Sequence, residues 1–216
     1  MNSELRDRLV QVADELAVAL SGAQLDRLLT YLGLLVRWNA TYNLTAVQRP
    51  ADMLVQHLAD CLAIVPPLRR QLGAPLTSRI LDVGSGAGLP GALLAVVAPQ
   101  TSVVCVDKVG KKVAFVRQVA AELGLPNLQV EHARVEALGA GTFDLIVSRA
   151  FSSLAEFVSL TAPHLAEKGH WLAMKGKRPD AEIGAVAATV DVFHVEPLIV
   201  PGLDAQRCLV WIRRRQ

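Results

Sequence analysis

The sequence predicts an α/β protein built on a central sheet that is mostly parallel. From residue 79 onward, short apolar segments with the character of strands alternate with amphipathic helical segments. The chain then closes on two β-rich runs with no helix between them. Alternating strands and helices are typical of an open parallel sheet, because each helical crossover returns the chain to the same end of the sheet. The closing hairpin should make the last strand antiparallel.

Residues 1–65 are predicted to form an N-terminal helical extension. Leucine and valine recur at helical spacing after Ser21, which forms a capping-box pattern with Gln24. We expect Trp38 and Asn39 to end this helix.

Prolines mark the boundaries that follow. Pro50 suits the first residue of the next helix, whereas Pro66 and Pro67 are expected to stop that helix. The predicted division therefore places the helical extension at residues 1–65 and the sheet domain at residues 66–216.

Seven strands are predicted, each a short run rich in apolar residues. In chain order they cover residues 79–83, 102–107, 128–132, 143–148, 170–175, 190–200 and 206–213. A helix is predicted between the second and third strands, where one apolar stripe is formed by Val109, Val113, Val116, Ala120 and Leu123.

The composition favours a globular protein with a large core. Of the 216 residues, 52% are hydrophobic and 19% are charged, which excludes a disordered chain. No apolar run approaches the ~20 residues needed to cross a bilayer, and the charged N-terminus lacks the apolar core of a secretory signal. We therefore expect a cytoplasmic protein with no membrane association. The cysteines predict neither a disulfide framework nor a zinc site, since Cys61, Cys105 and Cys208 are far apart and odd in number.

Basic residues are concentrated in a few places, although the net charge is only +2. The clusters are Lys108, Lys111 and Lys112; Lys175, Lys177 and Arg178; and residues 213–215. These clusters could form one basic face for a phosphate-rich partner, or they could be solvated surface charge. The sequence leaves both interpretations open.

Residues 79–91 carry the most informative motif. A strand runs into glycines at alternate positions, and a helix that Pro90 opens follows. Glycine permits positive φ and a close approach of a ligand to the backbone, while a helix N-terminus offers unpaired N–H groups. In an open α/β sheet, a nucleotide-like ligand binds at this end of the strand. The structural alternative is a tight turn that binds no ligand.

Two kinds of ligand fit this loop. Gly86, Gly88 and Gly91 match the dinucleotide pattern G-x-G-x-x-G, which alone is weak evidence. Gly84, Gly86 and Gly88, preceded by Asp82, match the D-x-G-x-G-x-G typical of S-adenosylmethionine enzymes. We favour the second pattern because Asp82 stands where it could receive the ammonium group of that cofactor, and because a helical extension precedes the loop.

Asp107 ends the second predicted strand. A carboxylate at this position can accept hydrogen bonds from both hydroxyls of a ribose. It can equally serve as the N-cap of the helix that begins near Val109. The two roles are compatible, and we expect at least the first.

Further motifs identify a family. The stretch from Trp38 to Thr45 follows the pattern W-N-x-x-x-N-L-T, and residues 82–91 follow D-V-G-[ST]-G-x-G-x-P-G. Three shorter motifs come after them in order: Arg134-Val135-Glu136, Ser148-Arg149-Ala150 and Met174-Lys175-Gly176. Over nearly its whole length the chain thus resembles the bacterial small-subunit ribosomal RNA guanine-N7 methyltransferase G family, also called glucose-inhibited division protein B.

The resemblance implies a Rossmann-like, S-adenosylmethionine-dependent methyltransferase. Its implied substrate is 16S ribosomal RNA or the small ribosomal subunit, and we expect no stable protein partner. Glu136 would accept from the adenine amino group, for which the alternative is an exposed loop acid. The cofactor contacts that the resemblance implies are Gly84, Leu89, Asp107, Val135, Glu136 and Arg149.

Two positions depart from the family pattern. Lys108 stands where many members have a small hydroxyl residue, so contacts around the ribose are expected to differ. Cys61 replaces the serine of a family H-x-x-D-S stretch. In that stretch, His57 and Asp60 lie three residues apart on one helical face, which suits a metal or an acid–base pair. We favour a local polar contact, and predict neither a metal site nor catalysis there.

No catalytic base is predicted, because guanine N7 has a lone pair and no proton. Catalysis should rest on positioning and electrostatics, with Arg149 and Lys175 as the positioning residues. They should hold O6, a phosphate or the cofactor carboxylate, and leave N7 free. An NAD-dependent oxidoreductase and a non-catalytic nucleotide-binding module are the alternative functions.

Overall fold

The computed structural model describes residues 3–149 and 151–215. Ala150, the last residue of one predicted motif, lies outside the described residues. The N-terminal part is helical, as predicted, and comprises α1 (Ser3–Glu15), α2 (Gly22–Tyr42), α3 (Pro50–Met53), a π-helical turn (Leu54–Ala59), α4 (Asp60–Leu62) and α5 (Val65–Leu72). Among the described residues, no helix is long and apolar enough to span a membrane.

Helix α2 is longer than predicted. The capping box at its start is present. The predicted end at Trp38 and Asn39 is wrong, because the helix continues to Tyr42. Asn43 then takes a left-handed conformation with φ 48°, and its N–H donates to the carbonyl oxygen of Asn39 at 3.1 Å. This C-cap ends the helix about one turn later than the sequence pattern indicated.

Pro66 and Pro67 do not stop a helix, contrary to the prediction. The preceding helical run ends at Leu62, and both prolines lie in the first turn of α5. Proline is tolerated there because the N–H group that it lacks would have no acceptor within the helix. A domain boundary between residues 65 and 66 remains our proposal.

The sheet has seven strands within the described residues, in the order β3-β2-β1-β4-β5-β7-β6. Strands β1 to β5 pair in parallel, and β7 pairs antiparallel with both β5 and β6. The predicted mostly parallel sheet with an antiparallel last strand is confirmed. The strands are β1 (Arg79–Val83), β2 (Ser102–Asp107), β3 (Leu128–His132), β4 (Phe143–Ser148), β5 (Leu165–Lys175), β6 (Val190–Pro197) and β7 (Cys208–Arg214).

Both faces of the sheet are covered. Successive side chains of a strand point to opposite faces. On one face, Ile80 and Val103 pack in a core that includes the N-terminal helices; on the other, Leu81 and Val104 pack in a second core. The helical extension therefore shares a core with the sheet. The helices that connect the strands are α6 (Gly91–Val97), α7 (Gly110–Glu122), α8 (Leu154–Thr161) and α9 (Asp180–Val186).

The basic clusters lie at two different edges of the sheet. Lys175, at the carboxyl end of β5, pairs with Cys208 at the start of β7. Arg213, near the end of β7, pairs with His170, farther from that edge. Residues 213–215 therefore lie away from Lys175, and the three basic clusters do not form one basic face.

Candidate functional site

The glycine-rich loop joins β1 to α6 at the carboxyl edge of the sheet. Gly84, Gly86 and Gly88 have φ values of 66°, 59° and 79°, in the left-handed region that favours glycine. The N–H groups of Gly84 and Ser85 donate to the carbonyl oxygen of Val106 at 2.9 and 3.2 Å. These bonds tie the loop to the end of β2.

The N-terminal extension also supports this loop. Tyr31 of α2 is 2% exposed, and its hydroxyl donates to the carbonyl oxygen of Ala87 at 2.8 Å. A buried tyrosine normally needs such an acceptor, because its hydroxyl has left water. The extension therefore fixes part of the loop directly, which no sequence spacing had indicated.

Asp107, at the end of β2, also fixes the loop. One carboxylate oxygen accepts from the N–H of Gly86 at 2.9 Å, and the other accepts from the N–H of Val109 at 2.9 Å, next to the start of α7. The second bond satisfies a backbone donor at the start of α7. Asp107 is not the N-cap residue itself, because Val109 occupies that position. Each carboxylate oxygen can accept more than one hydrogen bond, so both retain capacity for a ligand.

Asp82 points into the core, whereas its sequence position suggested that it could receive the ammonium group of the cofactor. Its side chain is fully buried and accepts a hydrogen bond from the N–H of Gly91, at the start of α6, at 2.8 Å. Its other oxygen has no hydrogen-bond partner among the described residues. Burial raises the pKa of the Asp82 carboxyl to about 7. This carboxyl therefore supports the loop from inside the core.

We predict that Asp82→Asn flattens the dependence of stability on pH. The unfolded carboxyl titrates near 3.8 and the folded one near 7, so the folded state binds the proton more tightly. The carboxyl therefore contributes to the free energy of unfolding below about pH 4, and this contribution, on the order of 4 kcal/mol, is lost as the pH rises to about 7. Urea denaturation of both proteins across this range measures the difference. If the free energies of unfolding of the two proteins change in parallel with pH, the prediction is contradicted.

Two cavities open at the carboxyl edge and share Gly84 and Lys112. Cavity A, of about 430 Å³, is lined by residues 44–45, 56–57, 60, 84–87, 89, 112, 149, 174–176 and 207. Cavity B, of about 380 Å³, is lined by residues 83–84, 106–109, 112, 133–136, 151–152, 156 and 160. All the predicted site residues line one or both cavities: Leu89, Arg149 and Lys175 in cavity A, Asp107, Val135 and Glu136 in cavity B, and Gly84 in both.

Asp60 organises two arginines in cavity A. Asp60 is 3% exposed, and its carboxylate accepts from Arg149 Nη1 at 3.1 Å and from Arg207 Nε at 2.9 Å. A buried carboxylate requires such partners, and two guanidinium groups supply them. Asp60 thus makes a polar contact, as expected, but the partners are distant in sequence.

His57 contributes a neutral side chain to cavity A. Its Nε2 lies 2.9 Å from the Thr45 hydroxyl, and its buried Nδ1 has no partner among the described residues. Burial and the nearby charge of Arg149 lower the pKa of His57 to about 4. The ring is therefore uncharged near neutral pH. No group of three or more histidine, cysteine, aspartate or glutamate side chains is arranged to hold a metal ion in the part of the chain that the structure describes.

Lys175 is held by an acidic residue that no sequence motif marks. Its ammonium lies 2.9 and 3.1 Å from the two carboxylate oxygens of Glu182 in α9. Glu182 also accepts from the N–H of Leu154, at the start of α8, at 2.7 Å. The lysine charge is thus oriented at the wall of cavity A by a helix that was not predicted.

Cavity B has polar and apolar walls. Val135 is buried, and its carbonyl oxygen accepts from Nε2 of His164 at 2.8 Å. Glu136 is exposed to solvent and lines this cavity just after β3, the strand that pairs with β2 and its terminal Asp107. These residues could hold an adenosine-like ligand, but their contact with a cofactor remains a prediction.

Comparison with known proteins decides the class to which this site belongs. The family model for rRNA small subunit methyltransferase G matches residues 24–210. The chain belongs to this family. A relative from Leptothrix cholodnii named ribosomal RNA small subunit methyltransferase G is 57% identical over 211 residues, 97% of this chain and 96% of that one. A relative of the same name from Methylibium petroleiphilum is 54% identical, over 98% of this chain and 95% of that one.

Solved structures share the fold of this family member. A SAM-dependent methyltransferase from Aquifex aeolicus has a TM-score of 0.52 at 20% identity, covering 68% of this chain and 87% of that one. The ribosomal protein L11 methylase from Lactobacillus delbrueckii subsp. bulgaricus has a TM-score of 0.55 at 19% identity, covering 73% and 77%. The predicted Rossmann-like methyltransferase fold is confirmed.

Proposed function

We propose that this protein methylates N7 of one guanine in the 16S ribosomal RNA of the small ribosomal subunit, using S-adenosylmethionine, in the cytoplasm. The observation that supports this most directly is the junction of cavities A and B at Gly84, in a member of a ribosomal RNA methyltransferase family. A cofactor with a nucleoside part and an amino-acid part needs two such compartments. The family membership favours this function over a dehydrogenase or a non-catalytic module.

The residues present fit this cofactor. In cavity B, the carboxylate of Asp107 suits the ribose hydroxyls, and that of Glu136 suits the adenine amino group. In cavity A, Arg149 can attract the cofactor carboxylate beside Gly84 and Leu89. When bound, S-adenosylmethionine supplies an electrophilic methyl group. The protein must then exclude water and hold the acceptor base.

The side chains of cavity A suit an acceptor without a proton. Guanine N7 has a lone pair and needs no base, and the lowered pKa of His57 makes the imidazole in this cavity a weak base. The guanine ring gains positive charge when N7 is methylated, so a cation close to N7 would oppose the reaction. Arg149 and Lys175 are held by carboxylates of the protein, which directs and partly compensates their charge. We propose that they orient the base through O6 or a phosphate.

The target guanine must be unpaired or extruded. In A-form RNA the N7 edge faces a deep, narrow groove that side chains do not enter. Enzymes that act on a base therefore take it from single-stranded RNA or flip it out of the stack. A base inserted in cavity A would lie between the glycine loop and the N-terminal extension, since both line that cavity.

We predict a single methyl group on guanine N7 of the small-subunit ribosomal RNA. Ribosomal RNA from cells that lack the protein should accept label from methyl-labelled S-adenosylmethionine. N7-methylation leaves the ring cationic and labile, so borohydride and aniline should cleave the strand at the labelled position. The rate of transfer should show no steep limb from a catalytic base near neutral pH.

The same RNA from wild-type cells is the matched control, because its site should already be methylated and should take up little label. Label on a ribose hydroxyl or an exocyclic amine would overturn the N7 assignment and leave an RNA methyltransferase. Label on protein alone, or no label with either RNA, would overturn the proposed function.

A further inference from the structure

A third cavity, cavity C, opens beside cavity A and has a volume of about 370 Å³. It shares Gly176 and Arg207 with cavity A. Arg178 adds a second cation, and an apolar wall is formed by Val195, Pro197 and Leu198. The proposed cofactor and target base occupy cavities A and B, and they leave cavity C without an assigned ligand.

The two arginines of cavity C differ in how firmly they are held. Arg207 donates from Nε to the buried Asp60 at 2.9 Å and from Nη1 to the carbonyl oxygen of Gln206 at 3.0 Å. Its guanidinium is thus fixed, and it has more N–H donors than these two bonds use. Arg178 pairs with Asp180 at 2.6 Å, where the side chains are 58% and 74% exposed. An exposed pair of this kind contributes little free energy, so Arg178 can exchange its partner for another anion.

The apolar wall continues into solvent. Leu198 is largely buried, whereas the next residue, Ile199, is 84% exposed. Guanidinium groups beside an apolar surface suit a nucleotide, because arginine binds phosphate in a bidentate manner and an apolar surface can receive the face of a base. The amino-acid part of the cofactor is already accommodated in cavity A, where Arg149 can attract its carboxylate.

We infer that cavity C binds the nucleotide adjacent to the target guanine in the same RNA strand. Its phosphate contacts Arg178 and Arg207, and its base lies against Pro197 and Leu198. The shared residues Gly176 and Arg207 make cavities A and C neighbours, so consecutive nucleotides of one strand can occupy them. This inference rests on the proposed function. It adds a subsite that binds the strand on one side of the extruded guanine.

Arg178→Ala tests the phosphate contact. We expect the KM for ribosomal RNA to rise about tenfold, as for loss of a charged hydrogen bond. Removing one phosphate contact from single-stranded RNA should also lower the slope of log affinity against log salt by about 0.7. The Kd for S-adenosylmethionine, measured by calorimetric titration, should stay within about twofold.

Arg213→Ala is the matched control. Arg213 pairs with Asp191 at 2.7 Å, with side chains 47% and 39% exposed, and it lies away from the cavities. This variant should keep the wild-type KM and salt slope. Equal KM values for the Arg178 and Arg213 variants would overturn the subsite. An increased Kd for S-adenosylmethionine in Arg178→Ala would also overturn it. Failure of the wild-type protein to methylate RNA would instead overturn the proposed function.

Leu198→Ser tests the base contact separately. It should raise the KM for ribosomal RNA while leaving the salt slope unchanged, because it removes an apolar contact and no charge. Circular dichroism and the melting temperature show whether the variant is folded. A folded Leu198→Ser with an unchanged KM would overturn the placement of the base against this wall.

Discussion

Asp107→Ala should weaken binding of S-adenosylmethionine by one to two orders of magnitude. The substitution removes a charged acceptor for the ribose hydroxyls, which we expect to cost about 1.5–3 kcal/mol. It also releases the N–H groups of Gly86 and Val109, which the carboxylate holds at 2.9 Å each, so the glycine loop loses one of its anchors. Calorimetric titration with S-adenosylmethionine and with its demethylated product measures the effect.

Glu131→Ala is a suitable control for this variant. Glu131 is an exposed acid on β3, the strand beside β2, and it lines neither cavity A nor cavity B. Its removal changes the net charge by the same amount and should leave cofactor affinity unchanged. If Asp107→Ala lowers the melting temperature but keeps its cofactor affinity, the carboxylate serves the loop and α7 and does not bind the ribose.

Gly91→Ala should lower the free energy of unfolding by roughly 3 kcal/mol, as expected for overpacking in a dense core. A Cβ at this position would lie 2.5 Å from Cys105 Sγ and 2.9 Å from the Asp82 carboxylate. Both neighbours are buried and cannot move into solvent. The substitution therefore pushes α6 away from β1 and β2. Urea denaturation measures the loss.

Gly22→Ala is the matched control, since Gly22 begins α2 as Gly91 begins α6. No atom lies within 4 Å of a Cβ built at Gly22, so alanine should be tolerated or slightly stabilising there. In a Cys105→Ala background the cost of Gly91→Ala should shrink, because the nearest clash is gone. Strictly additive costs would show that the thiol does not limit the space at Gly91.

The sheet was predictable because its strands are short, apolar and buried. Strands β1 to β4 have the predicted boundaries. The helix α9 (Asp180–Val186) was missed because Val186 is its one buried hydrophobic residue among those described, which leaves little apolar periodicity. Helix ends were also mistaken, since the left-handed cap at Asn43 is a property of the backbone that residue patterns signal weakly.

The site was predictable where a local motif carries it and not where distant segments meet. The glycine loop, Asp107 and Arg149 were identified from motifs, and all line the cavities. Asp82 was expected to receive the cofactor ammonium, although Ile80, two residues before it, lies on the same face of the strand and packs under α6. The contact of Asp60 with Arg207 spans 147 residues, and no spacing indicates it.

The ion pairs of Asp60 also bear on the order in which the protein acquires RNA-binding character. They join residues separated by 89 and 147 positions, so they require the closure of very large loops. Contacts this distant form late, because the entropy of closure must be overcome before they contribute stability. Until the N-terminal helices dock on the sheet and the last hairpin forms, Arg149 and Arg207 have no common anchor. The arrangement of these two arginines around Asp60 is therefore a property of the finished fold.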